Sequence, residues 1–493
     1  MSEPPSKGIF VTKVGKHLIL AALVGLGLRF FFVWHFPTVD DDTPMYEELA
    51  RNWIDHHVYG LFLNGHLTPV EVRAPGYPAF LAVLYLFFGR SRLAVMLAQA
   101  AVDLITCFLT ALLAARLAPE PVRRRVAIAA LWLATTCPFV ANYAAVPLTE
   151  VLTTFLTAAA LVVLVKDYQG DGGEVDLSRP RLQVPPWFLG SFFVGLGTLV
   201  RPETPLLLVS TALVLAVRWR RPADWAKLMR AGVLMAAGLL VALAPWAARN
   251  WHTFHRVQFL VPRYVQLPGE FVPRGFLAWM QTWLVRYRDV DQVLFKLEHA
   301  PIRLEDIPAS AFDTAQERER VAALLEAQHA TLRISPETDR EFAQLARERT
   351  ARHPLRTYLW IPLERAATIW FTPRIELLPY SGDLWPPGQQ WEDDPVDFSV
   401  TSVFGLLNFF YPALALAGAF FIRRQPGLAL LVSFIFVRTA FFATQHFTPE
   451  ARFVLECFPA VLALAALVWA RPRAAAGASS PIPGTSWRTR AGG

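Results

Sequence analysis

Apolar stretches long enough to cross a lipid bilayer recur along this chain, and no other feature limits its fold as strongly. Candidate spans lie at 17–35, 93–116, 125–145, 150–166, 187–201, 203–219, 230–247, 398–422, 427–444 and 453–470, about ten in all. Inside hydrocarbon every peptide N–H and C=O must find its partner within the chain, which leaves only helices or a closed barrel, and runs of this length read as helices. The expected fold class is therefore an all-α polytopic membrane protein. Composition agrees, with 54% hydrophobic and 18% charged residues, a membrane balance rather than that of a soluble domain.

A net charge of +7 could suggest nucleic acid, but the arginines gather at the ends of apolar runs, where orientation in a bilayer accounts for them. No nucleic-acid signature accompanies them. Cys107, Cys137 and Cys457 lie in or beside apolar runs, with neither disulfide nor zinc-ligand spacing.

Lys7, Lys13 and Lys16 precede the first apolar run in the manner of a signal peptide. That run is too long and lacks a small-residue cleavage site, so it reads as an uncleaved span with its N-terminus inside. Arg123-Arg124-Arg125, the 218–230 region, Arg423-Arg424, Arg471 and Arg473 then all fall on the cytoplasmic side. This divides the chain into a transmembrane module over 1–247 with an outer loop at 36–92, an outer segment over 248–397, C-terminal spans over 398–472 and a disordered tail over 473–493. Within the outer segment, 314–330 and 337–352 carry charged amphipathic patterns of a small subdomain. The stretch 354–371, with Trp360, Arg365 and Trp370, suits a helix on the membrane surface, and 379–390 reads as loop. The apolar stretch 76–88 is too short to cross: thirteen helical residues reach about 20 Å, against a core of about 30 Å, so it is expected at the interface.

Two elements of the first outer loop suggest chemistry. Asp40-Asp41-Asp42-Thr43-Pro44-Met45-Tyr46 places three adjacent carboxylates at a bilayer surface, where their mutual repulsion calls for a cation, a proton or a substrate hydroxyl. Arg73-Ala74-Pro75-Gly76-Tyr77-Pro78 could supply the opposite half of a site, gripping a phosphate while a carboxylate does acid–base work. More charges border spans on the same face: Glu150, Arg201-Pro202-Glu203, Arg249 after Pro245-Trp246, and Arg452 in Thr448-Pro449-Glu450-Ala451-Arg452. Each alone is ordinary at a helix end, where arginine snorkels and glutamate is solvated, but their placement on one face points to a shared outer pocket.

In order and placement these motifs resemble the polytopic GT-C glycosyltransferases of the protein O-mannosyltransferase-like branch, which includes the bacterial lipid A aminoarabinose transferases. The likeness covers most of the chain and implies a GT-C-type bundle with interfacial helices. It also implies transfer of a sugar from a polyprenyl-phosphate donor to a lipid, glycan or protein acceptor on the outer, periplasmic face of the inner membrane. The resemblance makes Asp42 the general base, with Asp41 next in line. Glu150 matches the second-loop acid, which orients the acceptor, helps hold a divalent cation or caps its helix. It implies donor-phosphate binding by Arg73, Arg201, Arg249 and Arg452, and substrate contacts from Tyr46 and Tyr77. Here Arg-Ala-Pro stands where the family often has Lys-Pro-Pro. A divalent cation stays open, with Asp40, Asp41, Asp55, His56, His57 and His66 able to contribute ligands in no distinctive spacing.

Two other classes fit some of the same features. A transporter or lipid flippase would explain the spans and the intramembrane charges Asp103, Arg438 and Glu456. A non-catalytic partner in envelope assembly would tolerate loss of Asp42.

Overall fold

The computed structural model describes residues 7–169, 184–262, 267, 270–423 and 425–470. Arg424, Arg471, Arg473 and the tail over 473–493 lie outside these residues. The chain begins with the long helix α1 (Lys7–His35), followed by α2 (Thr43–His56), a hairpin of β1 (Gly60–Leu63) and β2 (His66–Pro69), and α3 (Gly76–Phe88). The bundle then continues with α4 (Arg92–Leu117), α5 (Arg123–Thr135), α6 (Pro138–Ala141), α7 (Glu150–Gln169), α8 (Pro186–Thr198), α9 (Leu206–Arg218) and α10 (Trp225–Phe254). Six short or amphipathic helices follow: α11 (Arg274–Gln281), α12 (Tyr287–Val293), α13 (Ala315–Thr331), α14 (Pro336–Arg352), α15 (Ile361–Phe371) and α16 (Pro387–Asp393). The bundle closes with α17 (Pro395–Phe421), α18 (Pro426–Gln445) and α19 (Phe458–Ala466).

Every expected span coincides with a helix, but the helices differ in reach. Among the described residues, six are long and apolar enough to cross a membrane, and a seventh counts if the pair broken at Pro138, bent by 52°, is one span. Pro138 fits that break because proline cannot donate to the preceding turn. Helices α8 and α9 have 13 residues each, about 20 Å of rise. Close packing of the short α8 on α10 depends on small residues: a side chain on Gly238 would collide with the Phe188 carbonyl, and one on Gly195 with Ala242.

All three intramembrane charges singled out in the sequence are neutralised in pairs. Asp103 of α4 meets Arg29 of α1 at 2.6 Å, and Glu456 meets Arg438 of α18 at 2.6 Å, all four side chains at most 3% exposed. Arg29 also donates to the backbone oxygens of Gly25 and Thr135, so it ties α1 to both α4 and α5. The three cysteines are free and buried.

The segment between α10 and α17 has a core of its own. Phe276, Trp279, Met280 and Trp283 pack with Val321, Leu325, Phe342 and Leu345 from the amphipathic α13 and α14. Both helices are capped at the start, Thr314 accepting from the Glu317 amide and Ser335 from that of Thr338. Arg365 of α15 fastens this subdomain to the bundle, donating to the backbone oxygens of Leu284, Gln281 and His446. Leu355, Tyr358, Trp360 and Leu363 are exposed along the helical stretch expected at the membrane surface. The loop expected at 379–390 ends in the one-turn start of α16.

Candidate functional site

The acidic loop is held in place by the helix it starts. Asp42 occupies the N-cap position of α2, and Pro44 follows in the first turn, where a missing N–H costs nothing. The Thr43 hydroxyl donates to the Pro147 carbonyl at 3.2 Å, which brings this turn against the start of α7. The basic element reaches the same place by a different device. Gly76 begins α3 with its amide donating to the Leu199 carbonyl at 2.5 Å, and a Cβ there would collide with that carbonyl. Only glycine allows this approach, and it sets Arg73 beside the α8–α9 turn that carries Arg201.

Arg73 Nη2 pairs with Asp42 Oδ1, its Nε contacts Met45 Sδ at 3.4 Å, and its guanidinium lies 5.5 Å from the Tyr46 ring centre. The pair is partly open, with side chains 21% and 30% exposed. Glu150, the first residue of α7, accepts from Arg201 Nη1 at 2.6 Å. Arg201 also stands 3.8 Å from Glu203 and 3.7 Å from Glu456. Burial pulls the Arg201 guanidinium down, but Glu150, Glu203 and Glu456 outweigh it and the group ends raised above its ordinary value. Arg452 Nε pairs with Glu450 at 2.5 Å and its Nη1 lies 3.6 Å from Asp40. Asp40 accepts from the Asp42 amide at 3.0 Å, and burial raises its carboxyl above the ordinary value despite that amide and Arg452.

These residues border two cavities. One, of about 520 Å³, is lined by Asp42, Tyr46, Arg73, Glu150, Arg201 and Arg452, together with Glu203, His446 and Glu450. The other, of about 570 Å³, lies on the Asp40 side and is lined by Tyr143, Tyr287, Glu376, Tyr380 and Asp383. Leu148, Glu450 and Arg452 line both. Burial raises the Tyr46 phenol to about 12, so it faces the first cavity as a neutral hydroxyl at ordinary pH.

Three of the expected site residues stand elsewhere. Tyr77 is fully buried and donates to Gln99 Oε1 at 2.7 Å, so its hydroxyl is committed to the core between α3 and α4 rather than to a ligand. Arg249 donates to the Val70 and Tyr59 carbonyls and is ringed by Tyr59, Trp246 and Phe254, lining a mostly apolar groove instead. Asp41 is exposed and lines neither cavity. Among the described residues no three His, Cys, Asp or Glu side chains gather as a cation site. Asp42, Asp40 and Glu150 are each engaged by an arginine, Arg73, Arg452 and Arg201 in turn. This donor set does not fit a divalent cation. Sequence reading missed Glu450 and His446 as cavity residues, although Glu450 lies two positions before Arg452. A lone histidine at the end of a span carries no comparable signal.

No protein-family model matches the chain, and no curated protein matches it. Among solved structures it is similar to the oligosaccharyltransferase AglB of Archaeoglobus fulgidus, in complex with an inhibitory peptide and a dolichol-phosphate, at 15% identity and a TM-score of 0.49 over 93% of this chain and 50% of that one. The complex of the Archaeoglobus oligosaccharyltransferase with Zn and sulfate gives 15% identity and a TM-score of 0.47, over 92% and 48%. ArnT from Cupriavidus metallidurans, bound to undecaprenyl phosphate, gives 14% identity and a TM-score of 0.37, over 89% and 77%. The chain spans about half the length of the archaeal proteins it matches.

Proposed function

We propose that this protein is a membrane glycosyltransferase that moves a sugar from a polyprenyl-phosphate donor to an acceptor on the outer, periplasmic face of the inner membrane. The observation that carries the reading is the pair of cavities that meet at Leu148, Glu450 and Arg452, with Asp42 on one side and Asp40 on the other. A group transfer needs two substrates to meet at one point. Both volumes lie in the range of ligand sites.

The Asp42 cavity suits the donor because Arg73, Arg201 and Arg452 line it. Arg73 uses Nη2 on Asp42 and Nε on Met45, which leaves Nη1 for a phosphate oxygen. The acceptor enters from the Asp40 side. Its oxygen or nitrogen forms a bond to the anomeric carbon and its proton passes to Asp42. The bond from that carbon to the phosphate oxygen breaks, and its electron pair stays on the phosphate. Negative charge therefore grows on the leaving group, and arginines held beside it stabilise the transition state more than the ground state. Each arginine is oriented by a carboxylate before substrate arrives, which lowers the cost of ordering it. No step runs through a metal ion.

The transporter reading gains nothing from the intramembrane charges, since Asp103 and Glu456 are each paired with an arginine and tie helices together. The test is consumption of undecaprenyl-phosphate-linked hexoses and pentoses by the purified protein, with and without chelator. Release of undecaprenyl phosphate that stops in Asp42→Asn supports the proposal. No release across the panel, alongside substrate movement into sealed vesicles, would refute it.

A further inference from the structure

One imidazole, that of His446 just beyond α18, lines the Asp42 cavity and has no part in the transfer as described. Its ring is fixed. It stacks on Phe447 with centroids 4.7 Å apart and packs 4.4 Å from Phe453, while Arg365 holds its backbone carbonyl at 3.3 Å.

The surroundings of Nδ1 occupy that nitrogen. Nδ1 lies 3.1 Å from Thr448 Oγ1, 3.3 Å from the Thr448 carbonyl and 3.3 Å from the Thr448 amide. The Thr448 hydroxyl gives its only proton to Glu450 Oε1 at 2.7 Å, so it turns lone pairs toward the ring, as the carbonyl also does. The hydroxyl and the carbonyl present lone pairs to Nδ1 while the amide donates to it, so this nitrogen is fully engaged by Thr448. Nε2 makes no hydrogen bond among the described residues.

We propose that His446 is a specificity-determining residue of the transfer site, its Nε2 hydrogen-bonded to a sugar hydroxyl in the Asp42 cavity; this rests on the glycosyltransferase reading. The cavity already holds guanidinium groups for an anion and carboxylates for a proton, and an uncharged ring nitrogen held rigidly suits a hydroxyl, which both donates and accepts. Burial lowers the His446 pKa from its ordinary value, outweighing the opposing pull of Glu450 and Glu203, so the ring is uncharged at neutral pH. The arrangement resembles a relay in which a carboxylate orients a hydroxyl and the hydroxyl orients an imidazole, with Thr448 as the positioning residue.

The test uses the purified full chain and an undecaprenyl-phosphate-linked sugar that the wild type consumes. His446→Phe keeps the stacking on Phe447 and Phe453 and removes the ring nitrogen, so kcat/KM should fall roughly tenfold or more. His446→Gln places an amide oxygen near the former Nε2 and should recover much of that loss. Thr448→Val should cost less than His446→Phe and leave the protein folded. Wild-type kinetics in His446→Phe would overturn the proposal, as would equal losses in the Phe and Gln variants. Diethyl pyrocarbonate labelling, mapped by mass spectrometry, probes Nε2 without any sugar: labelling of His446 alongside the exposed His57 is expected, and a His446 that stays unlabelled overturns the inference. Absence of transfer by the wild type, with His446 labelled, would instead count against the glycosyltransferase reading.

Discussion

Arg73 and Asp42, 31 positions apart in sequence, form an ion pair that closes the first loop on itself and places both at the rim of one cavity. A guanidinium that holds the proposed base and also faces the donor links the two halves of the proposed reaction.

Asp42→Asn keeps the shape of the side chain and loses its basicity. Transfer should fall roughly 10²–10⁴-fold with the melting temperature nearly unchanged, since the Arg73 pair is part-exposed. Asp40→Asn should cost less, because Asp40 acts through the Asp42 amide and Arg452. Steady-state rates of both variants, alongside thermal unfolding in detergent, check the order.

Arg73→Lys should retain more activity than Arg73→Ala without reaching wild type, because an ammonium cannot engage a carboxylate and a phosphate through one planar group. Both kcat and donor affinity should drop in the Ala variant. Unchanged values of both would reduce Arg73 to a loop clasp.

Asp103→Ala removes one partner of a buried pair that joins α1 to α4. Stability should fall by about 3–5 kcal/mol, while whatever protein remains folded turns over normally. A specific kinetic defect with intact stability would instead revive a charge-path role for Asp103.

Gly76→Ala should disturb the site from a distance. The new methyl meets the Leu199 carbonyl, so the loop bearing Arg73 must shift away from Arg201. Loss of donor affinity larger than the loss of thermal stability is the expected pattern, read from kinetics and melting curves together.

The topology has its own check. With the N-terminus in the cytoplasm, a reporter fused at about residue 320 should register on the outer side, and a cytoplasmic signal there would reverse the assignment.

Much of this arrangement was legible because polar residues at the ends of apolar runs are conspicuous. Asp42, Glu150, Arg201 and Arg452 stood out that way, and the structure gathers them around one cavity. Tyr77 and Arg249 were misleading for a physical reason. A tyrosine beside a loop motif reads the same whether its hydroxyl meets a ligand or Gln99, and an arginine after Pro245-Trp246 reads the same whether it faces a phosphate or three aromatic rings. Helix reach was similarly hidden: 187–201 and 203–219 are apolar throughout most of their length, yet α8 and α9 have only 13 residues each, separated by the turn at Arg201-Pro202. The hairpin at Asn64-Gly65 was not read from the sequence, although that dipeptide, with positive φ angles of 51° and 80°, suits a two-residue turn.

The fastening of the helical subdomain by Arg365 has an evolutionary side. All three of its acceptors are backbone carbonyls, those of Gln281, Leu284 and His446, which any residue at those positions would supply. The subdomain also keeps its hydrophobic core to itself. Much of its outer surface is thus free to drift, and to be reshaped for a new acceptor, while the Arg365 guanidinium holds it at the edge of the cavity.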